Sequence, residues 1–254
     1  MARVKTIEEA AAWVDRVGLA LLFGKADLVL PSLWEAVAGH GAPTSIRDAA
    51  GTYVAWSPGM EDVWAWKDEL PARKLAAGGK HLARSASLVA PRLLPALVAA
   101  RGDVEPVELQ REIVEVVREQ GPLTGPELRR LLGAEAKRVN AAVNALQHDL
   151  VLTNVRVVPQ EQGWAALQVD LLERRWRSAL RTVPPPEEAR RILAGTVLAS
   201  ARELSAADLA AALGWRRKAA ATVLDELTGA GEATVHEEDD VRIWGTRRDW
   251  RNAG

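Results

Sequence analysis

The sequence predicts a mainly α protein with small β-hairpin wings, an α+β chain of three tandem winged helix-turn-helix units. Two observations carry this. GPLTGPELRRLLG (121–133) lies over ARELSAADLAAALG (201–214) with Thr124 on Ser205, an offset of 81 residues that also sets Leu128 on Leu209, Leu132 on Leu213, Gly133 on Gly214, Val143 on Leu224 and Leu146 on Leu227. An internal repeat of this kind marks one supersecondary unit used twice. The second observation is the grammar inside each copy, a run of helical periodicity followed by short alternating β-rich segments. The expected units are 1–100, 105–183 and 186–250, the last two resting directly on the repeat.

Each copy opens with a helix whose apolar residues recur at three and four, Ile113, Val116 and Val117 in one and Ile192, Val197 and Leu198 in the other. Thr124 and Ser205 then stand at N-cap positions with Glu127 and Asp208 three residues on, which is the capping-box spacing. Gly133 and Gly214 allow the left-handed turn that ends the short second helix. Third helices are expected over 135–148 and 215–228. Each leads into a hairpin: 151–158 with 164–171 around a turn at 159–163, and 232–237 with 241–245 around an acidic turn. Between the copies, Pro184-Pro185-Pro186 is a stiff linker that sets the boundary near residue 185.

Composition narrows the function classes. The chain of 254 residues is 48% hydrophobic and 26% charged, the balance of an ordinary globular protein. With no cysteine there is no disulfide, thiolate nucleophile or cysteine-held zinc, and four scattered histidines do not make a metal site. Neither a cofactor nor a metal is expected. The N-terminus lacks the apolar core of a secretory signal, and the apolar stretch 17–30 is broken by Lys25 and Asp27, so a cytoplasmic, nucleoid-associated protein without a membrane segment is expected.

A net charge of −1 requires any nucleic-acid surface to come from local segregation of charge. Residues 70–102 contain Arg73, Lys74, Lys80, Arg84, Arg92 and Arg101 and no Asp or Glu. In a winged helix-turn-helix the third helix enters the major groove, where Arg, Lys and Asn read base edges or hold phosphates. The candidate DNA-binding residues are therefore Arg73, Lys74, Lys80 and Arg84 in the basic segment, Lys137, Arg138, Asn140 and Asn144 on one third helix, Arg216, Arg217 and Lys218 on the other, and Arg174 and Arg175 at the junction. Against this stand plainer readings: charge runs are usually solvated faces, winged helices also serve as protein-contact scaffolds, and the tryptophans Trp34, Trp56, Trp64 and Trp66 belong more often to a core than to a stacking platform.

The strings LPSLWEAV (30–37), WAWKDELPARK (64–74), GPLTGPELRR (121–130) and ALQHDLVLTNV (145–155) resemble short members of the AlkZ-like DNA glycosylase family. The resemblance implies three winged helices arranged in a C around duplex DNA, and excision of alkylated or cross-linked bases by a Gln-x-Gln or Gln-x-Asp pair that positions water. The matching segment here is wholly apolar, Gly18 to Phe23, with Ala20 and Leu22 in the two polar places. Neither can hold a water or steady a developing positive charge.

The leading expectation is thus a DNA-binding protein, on double-stranded DNA, damaged DNA included, that lacks the family's catalytic pair; a monomer suffices, because tandem units span consecutive grooves. A divergent glycosylase is the alternative, with Asp68 or Glu69 as its carboxylate, although an acidic pair on a helix is the plainer account of both. Gln160-Glu161-Gln162 repeats the motif at a wing tip, where a wet turn suits catalysis poorly. A transcriptional regulator is the third reading, and would need a dimer.

Overall fold

In a computed structural model, residues 3–102, 104–160 and 165–246 are described. About half of the chain is helix and the strands form small antiparallel sheets, an α+β fold. The first third runs α1 (Ile7–Val17), β1 (Leu19–Leu21), α2 (Leu33–Ala38), β2 (Ser45–Arg47), β3 (Tyr53–Trp56), α3 (Met60–Ala72), β4 (Ala77–Leu82), β5 (Ser85–Val89) and α4 (Leu94–Arg101). The middle holds α5 (Glu108–Gln120), β6 (Leu123–Thr124), α6 (Gly125–Leu132), α7 (Ala136–His148), β7 (Leu152–Val158), β8 (Ala166–Leu171) and the single turn α8 (Leu172–Arg175). The last third holds α9 (Pro186–Ala201), β9 (Glu203–Ser205), α10 (Ala206–Leu213), α11 (Arg217–Gly229), β10 (Ala233–Glu238) and β11 (Val241–Thr246).

One strand order occurs three times. A short leading strand pairs with the second strand of a later hairpin, giving β1-β5-β4, β6-β8-β7 and β9-β11-β10. The hairpins of the middle and last thirds were expected, that of the first third was not placed, and the leading strands are two or three residues long and too short to show an alternation. Each leading strand feeds a capped helix. Thr124 Oγ1 accepts from the Glu127 N–H while Glu127 Oε2 accepts from the Thr124 N–H at 2.7 Å. Ser205 and Asp208 repeat this reciprocal arrangement, and Ser32 Oγ likewise accepts from the Glu35 N–H at the start of α2. Losing such a cap typically costs about 1 kcal/mol. Ser205→Ala should accordingly lower the unfolding free energy by about that amount, read from a shifted urea midpoint at unchanged slope.

Gly133 and Gly214, at φ 58° and 70°, make the left-handed turn before α7 and α11. The third helices begin slightly later than the expected 135 and 215, because Glu135 and Arg216 are extended N-caps at ψ 145° and 138°. In the first third the corresponding connection is different in kind: the β2–β3 hairpin stands between α2 and α3, and Ile46, Tyr53, Val54 and Trp56 on it are exposed.

Three apolar cores hold the chain. Trp13 and Val14 of α1, Leu33 and Trp34 of α2 and Val63, Trp66 and Leu70 of α3 pack together in the first. Ile113, Val117, Leu128, Val139 and Leu146 make that of the middle third. The largest core runs through all three segments: Leu93, Leu94 and Leu97 meet Leu193, Val197 and Leu198 of α9 and Leu224 of α11, with Leu172 and Trp176 from the middle. No helix among the described residues is long and apolar enough to cross a membrane.

Candidate nucleic-acid interface

Where β4 of the first third meets α7 and β7 of the middle third, the surface folds into a cleft of about 670 Å³. Its cations are Lys67, Lys80 and Arg129, and Asp68 is the one carboxylate lining it among the described residues. One wall is carboxamide. Asn140, Asn144 and Gln147 fall at i, i+4 and i+7 on α7, a single helical stripe, and Asn154 of β7 continues it. Gln147 is held on both sides, its Nε2 donating to Asn154 Oδ1 at 2.6 Å and its Oε1 accepting the Lys80 N–H at 3.1 Å. The opposite wall is apolar, with Leu22, Phe23, Ala86 and Leu88.

The cleft edge of β4 is fixed from behind. Thr153 Oγ1 donates to the Gly78 carbonyl and Ser87 Oγ to the Gly79 carbonyl. At Gly78 a Cβ would stand 2.5 Å from Pro71 Cγ, so glycine is what lets the end of α3 approach this strand. Below lies His81, whose Nδ1 donates to the Gln147 carbonyl at 2.7 Å, since a carbonyl can only accept. Burial pushes His81 down to about 4, helped by the positive charges of Arg101 and His148 and opposed by its bond to the Gln147 carbonyl and by the Gly78 carbonyl nearby. It is a neutral ring in the foundation of the site.

At the mouth, Trp64 lines the cleft, half exposed, with the Lys67 ammonium 4.5 Å above its ring centre and Trp56 of the neighbouring hairpin 6.0 Å away. Lys67 Nζ also pairs with the Asp68 carboxylate at 2.5 Å. The tryptophans thus divide: Trp34 and Trp66 are core, as is Trp176, while Trp56 and Trp64 face solvent.

Four of the candidate residues meet here: Asp68, Lys80, Asn140 and Asn144. Glu69 is exposed on α3 outside the cleft. Lys137 and Arg138 are exposed in the first turn of α7, and Arg216, Arg217 and Lys218 at the start of α11. Arg84 is exposed at the β4–β5 turn, and Lys74 follows α3 at φ 56°. Arg73 pairs with Glu8 of α1 at 3.1 Å. The junction arginines are engaged by the protein itself. Arg174 donates to the Asp170 carboxylate and to the Val117 and Arg118 carbonyls that end α5. Arg175 donates to the Pro71 and Ala72 carbonyls that end α3, and burial holds its guanidinium below the ordinary value.

Ala20 is buried in β1 opposite Leu88, and Leu22 faces the cleft. Gln160 bonds the Val158 and Pro159 carbonyls away from the cleft; Glu161 and Gln162 lie outside the described residues. Gln147, Asn154, Lys67 and Arg129 were not among the candidates. The i, i+7 spacing from Asn140 to Gln147 was a usable signal for the first of them.

The fold and this cleft define a multi-helix α+β protein with a basic, amide-lined groove. The sequence matches the AlkZ-related family over residues 4–214, and the chain belongs to that family. Among solved structures it is similar to the DNA glycosylase AlkZ of Streptomyces sahachiroi, with a TM-score of 0.59 at 14% identity, over 95% of this chain and 65% of that one. The chain therefore spans less than two thirds of AlkZ. The DIP2311 protein of Corynebacterium diphtheriae matches at 16% identity over 81% of this chain and 42% of its own, with a TM-score of 0.23. No curated protein matches the sequence.

Proposed function

We propose that this protein binds double-stranded DNA, damaged DNA included, in the cleft between β4 and α7, as an array of three winged helices at about 1–100, 105–183 and 186–250, and that it does not hydrolyse bases through the family's polar pair. The observation that carries the reading is the cleft lining. Cations placed beside a stripe of carboxamides suit phosphate contact and base-edge reading together. Family membership and the likeness to a DNA glycosylase support a repair context. Leu22 occupies the wall where a water-positioning side chain would be needed, and a methyl group cannot orient water. Arg174 and Arg175 drop out of the binding surface, because their donors already serve helix ends.

One observation favours a second reading. Asp68 lines the same cleft, so a divergent glycosylase would use it as base or charge stabiliser. The test is release of alkylated base from duplex DNA by the purified protein, alongside Asp68→Asn. Binding without release is the expected result. Release by the unmodified protein that disappears in the variant, at duplex affinity within a few fold, would overturn the non-catalytic reading.

A further inference from the structure

A second basic surface adjoins the cleft, where α1 and the residues after β1 face the C-terminal half of α9. This groove, about 850 Å³, is lined by Arg3, Arg16, Arg92 and Arg202, with Glu35 its one carboxylate among the described residues and buried Trp13 beneath. The arginines come from four separate places: the chain before α1, the last turn of α1, the turn before α4 and the residue that ends α9. Glu35 makes no ion pair with any of them among the described residues; its carboxylate accepts from Ser32 Oγ at 2.8 Å and lies 2.7 Å from His40 Nδ1. Arg92 is held by Asp15, donating to its carbonyl at 2.7 Å and lying 3.5 Å from its carboxylate, so it lends charge to the groove rather than a free fork; Arg3, Arg16 and Arg202 have no carboxylate within pairing distance among the described residues. Guanidinium groups converging from distant segments repel one another, and a run of phosphates relieves that repulsion while taking paired N–H donors.

The groove adjoins the cleft through one shared wall. Leu22 and Phe23 face the cleft, Ser32 and Glu35 face the groove, and the Trp34 N–H bonds the Leu22 carbonyl between them. We infer that this four-arginine groove holds the phosphate backbone of the same duplex beyond the segment seated in the cleft, so that the protein engages DNA over a longer stretch than the cleft alone accommodates. This rests on the cleft being a DNA site. Among the described residues the surface carries no carboxamide stripe, so it contributes affinity and register rather than sequence reading.

The experiment compares a duplex of about 8 base pairs, some 27 Å at 3.4 Å per pair, with one of about 24 base pairs. Arg16→Glu/Arg202→Glu should weaken binding of the long duplex at least about tenfold and flatten its salt dependence by about 2 in log–log slope, at about 0.9 per lost contact. The short duplex should change less than about twofold. Both arginines are exposed, and an unchanged thermal midpoint confirms that the variant is folded. Equal long-duplex affinity in variant and unmodified protein overturns the groove alone, as does an equal loss on both lengths. If the unmodified protein binds neither duplex, the cleft reading fails and takes this one with it.

Discussion

Lys80→Glu/Arg129→Glu should lower duplex affinity about a hundredfold at near-physiological salt and reduce the slope of log K against log salt by about 2. The two side chains approach the cleft from different elements, β4 and α6, so reversing both removes two cations facing the same ligand and adds repulsion. Each phosphate contact contributes about 0.9 to the slope through counterion release, and a hundredfold loss corresponds to about 2.8 kcal/mol at about 1.4 kcal/mol per decade. Asn140→Ala/Asn144→Ala is the informative contrast. Carboxamides carry no charge, so affinity should fall with the salt slope unchanged, and any preference among duplex sequences should narrow. Fluorescence anisotropy titrations at several salt concentrations check both. An affinity indifferent to Lys80 and Arg129 would remove the cleft from consideration as the DNA site.

Stability should fall steeply as the solution is acidified from pH 6.5 to 4. His81 is neutral in the folded protein down to about pH 4, whereas in the unfolded chain it takes up its proton near 6.5. Between those values the unfolded state binds more protons, so unfolding becomes easier as pH falls. A gap of about 2.5 units at about 1.4 kcal/mol each sets the loss near 3 kcal/mol. The contribution is complete above pH 6.5 and gone below about 4. His148, also held down by burial, adds in the same direction. Urea unfolding at half-unit steps of pH measures the slope, and His81→Leu should flatten it while costing stability at pH 7 through the lost bond to the Gln147 carbonyl. A variant with the slope of the unmodified protein would show that His81 is not the titrating group.

The repeat made the last two thirds readable because their punctuation is local. A capping box and a left-handed glycine each act within a few residues, and Thr124, Glu127 and Gly133 have their counterparts in Ser205, Asp208 and Gly214. The first third has the same strand order, but ten residues separate Leu22 from Leu33 and a hairpin separates α2 from α3, so the register that exposes the repeat is lost. Asp68, Lys80, Asn140 and Asn144 of the cleft could be picked out one by one in the sequence, but not the way they are brought together. Nothing local distinguishes an arginine that will meet phosphate from Arg174 or Arg175, which meet carbonyls 56 to 104 residues away in sequence. Gln147 was hidden for the opposite reason: its value lies in the Lys80 backbone and in Asn154, neither of which its own neighbourhood reveals.

The core shared by the two ends of the chain bears on the order in which the protein can be made. The face made by Leu93 and by Leu94 and Leu97 of α4 is covered by α9, roughly a hundred residues downstream. Contacts of such sequence separation form late, after the entropy of closing the intervening loop has been met. A nascent chain that has not yet reached residue 186 therefore carries this face without its α9 cover, and at a translation rate of about 5–20 residues per second it does so for several seconds. During that interval the face is open to association with other apolar surface, and it is the arrival of α9, the first helix of the last third, that ends the exposure.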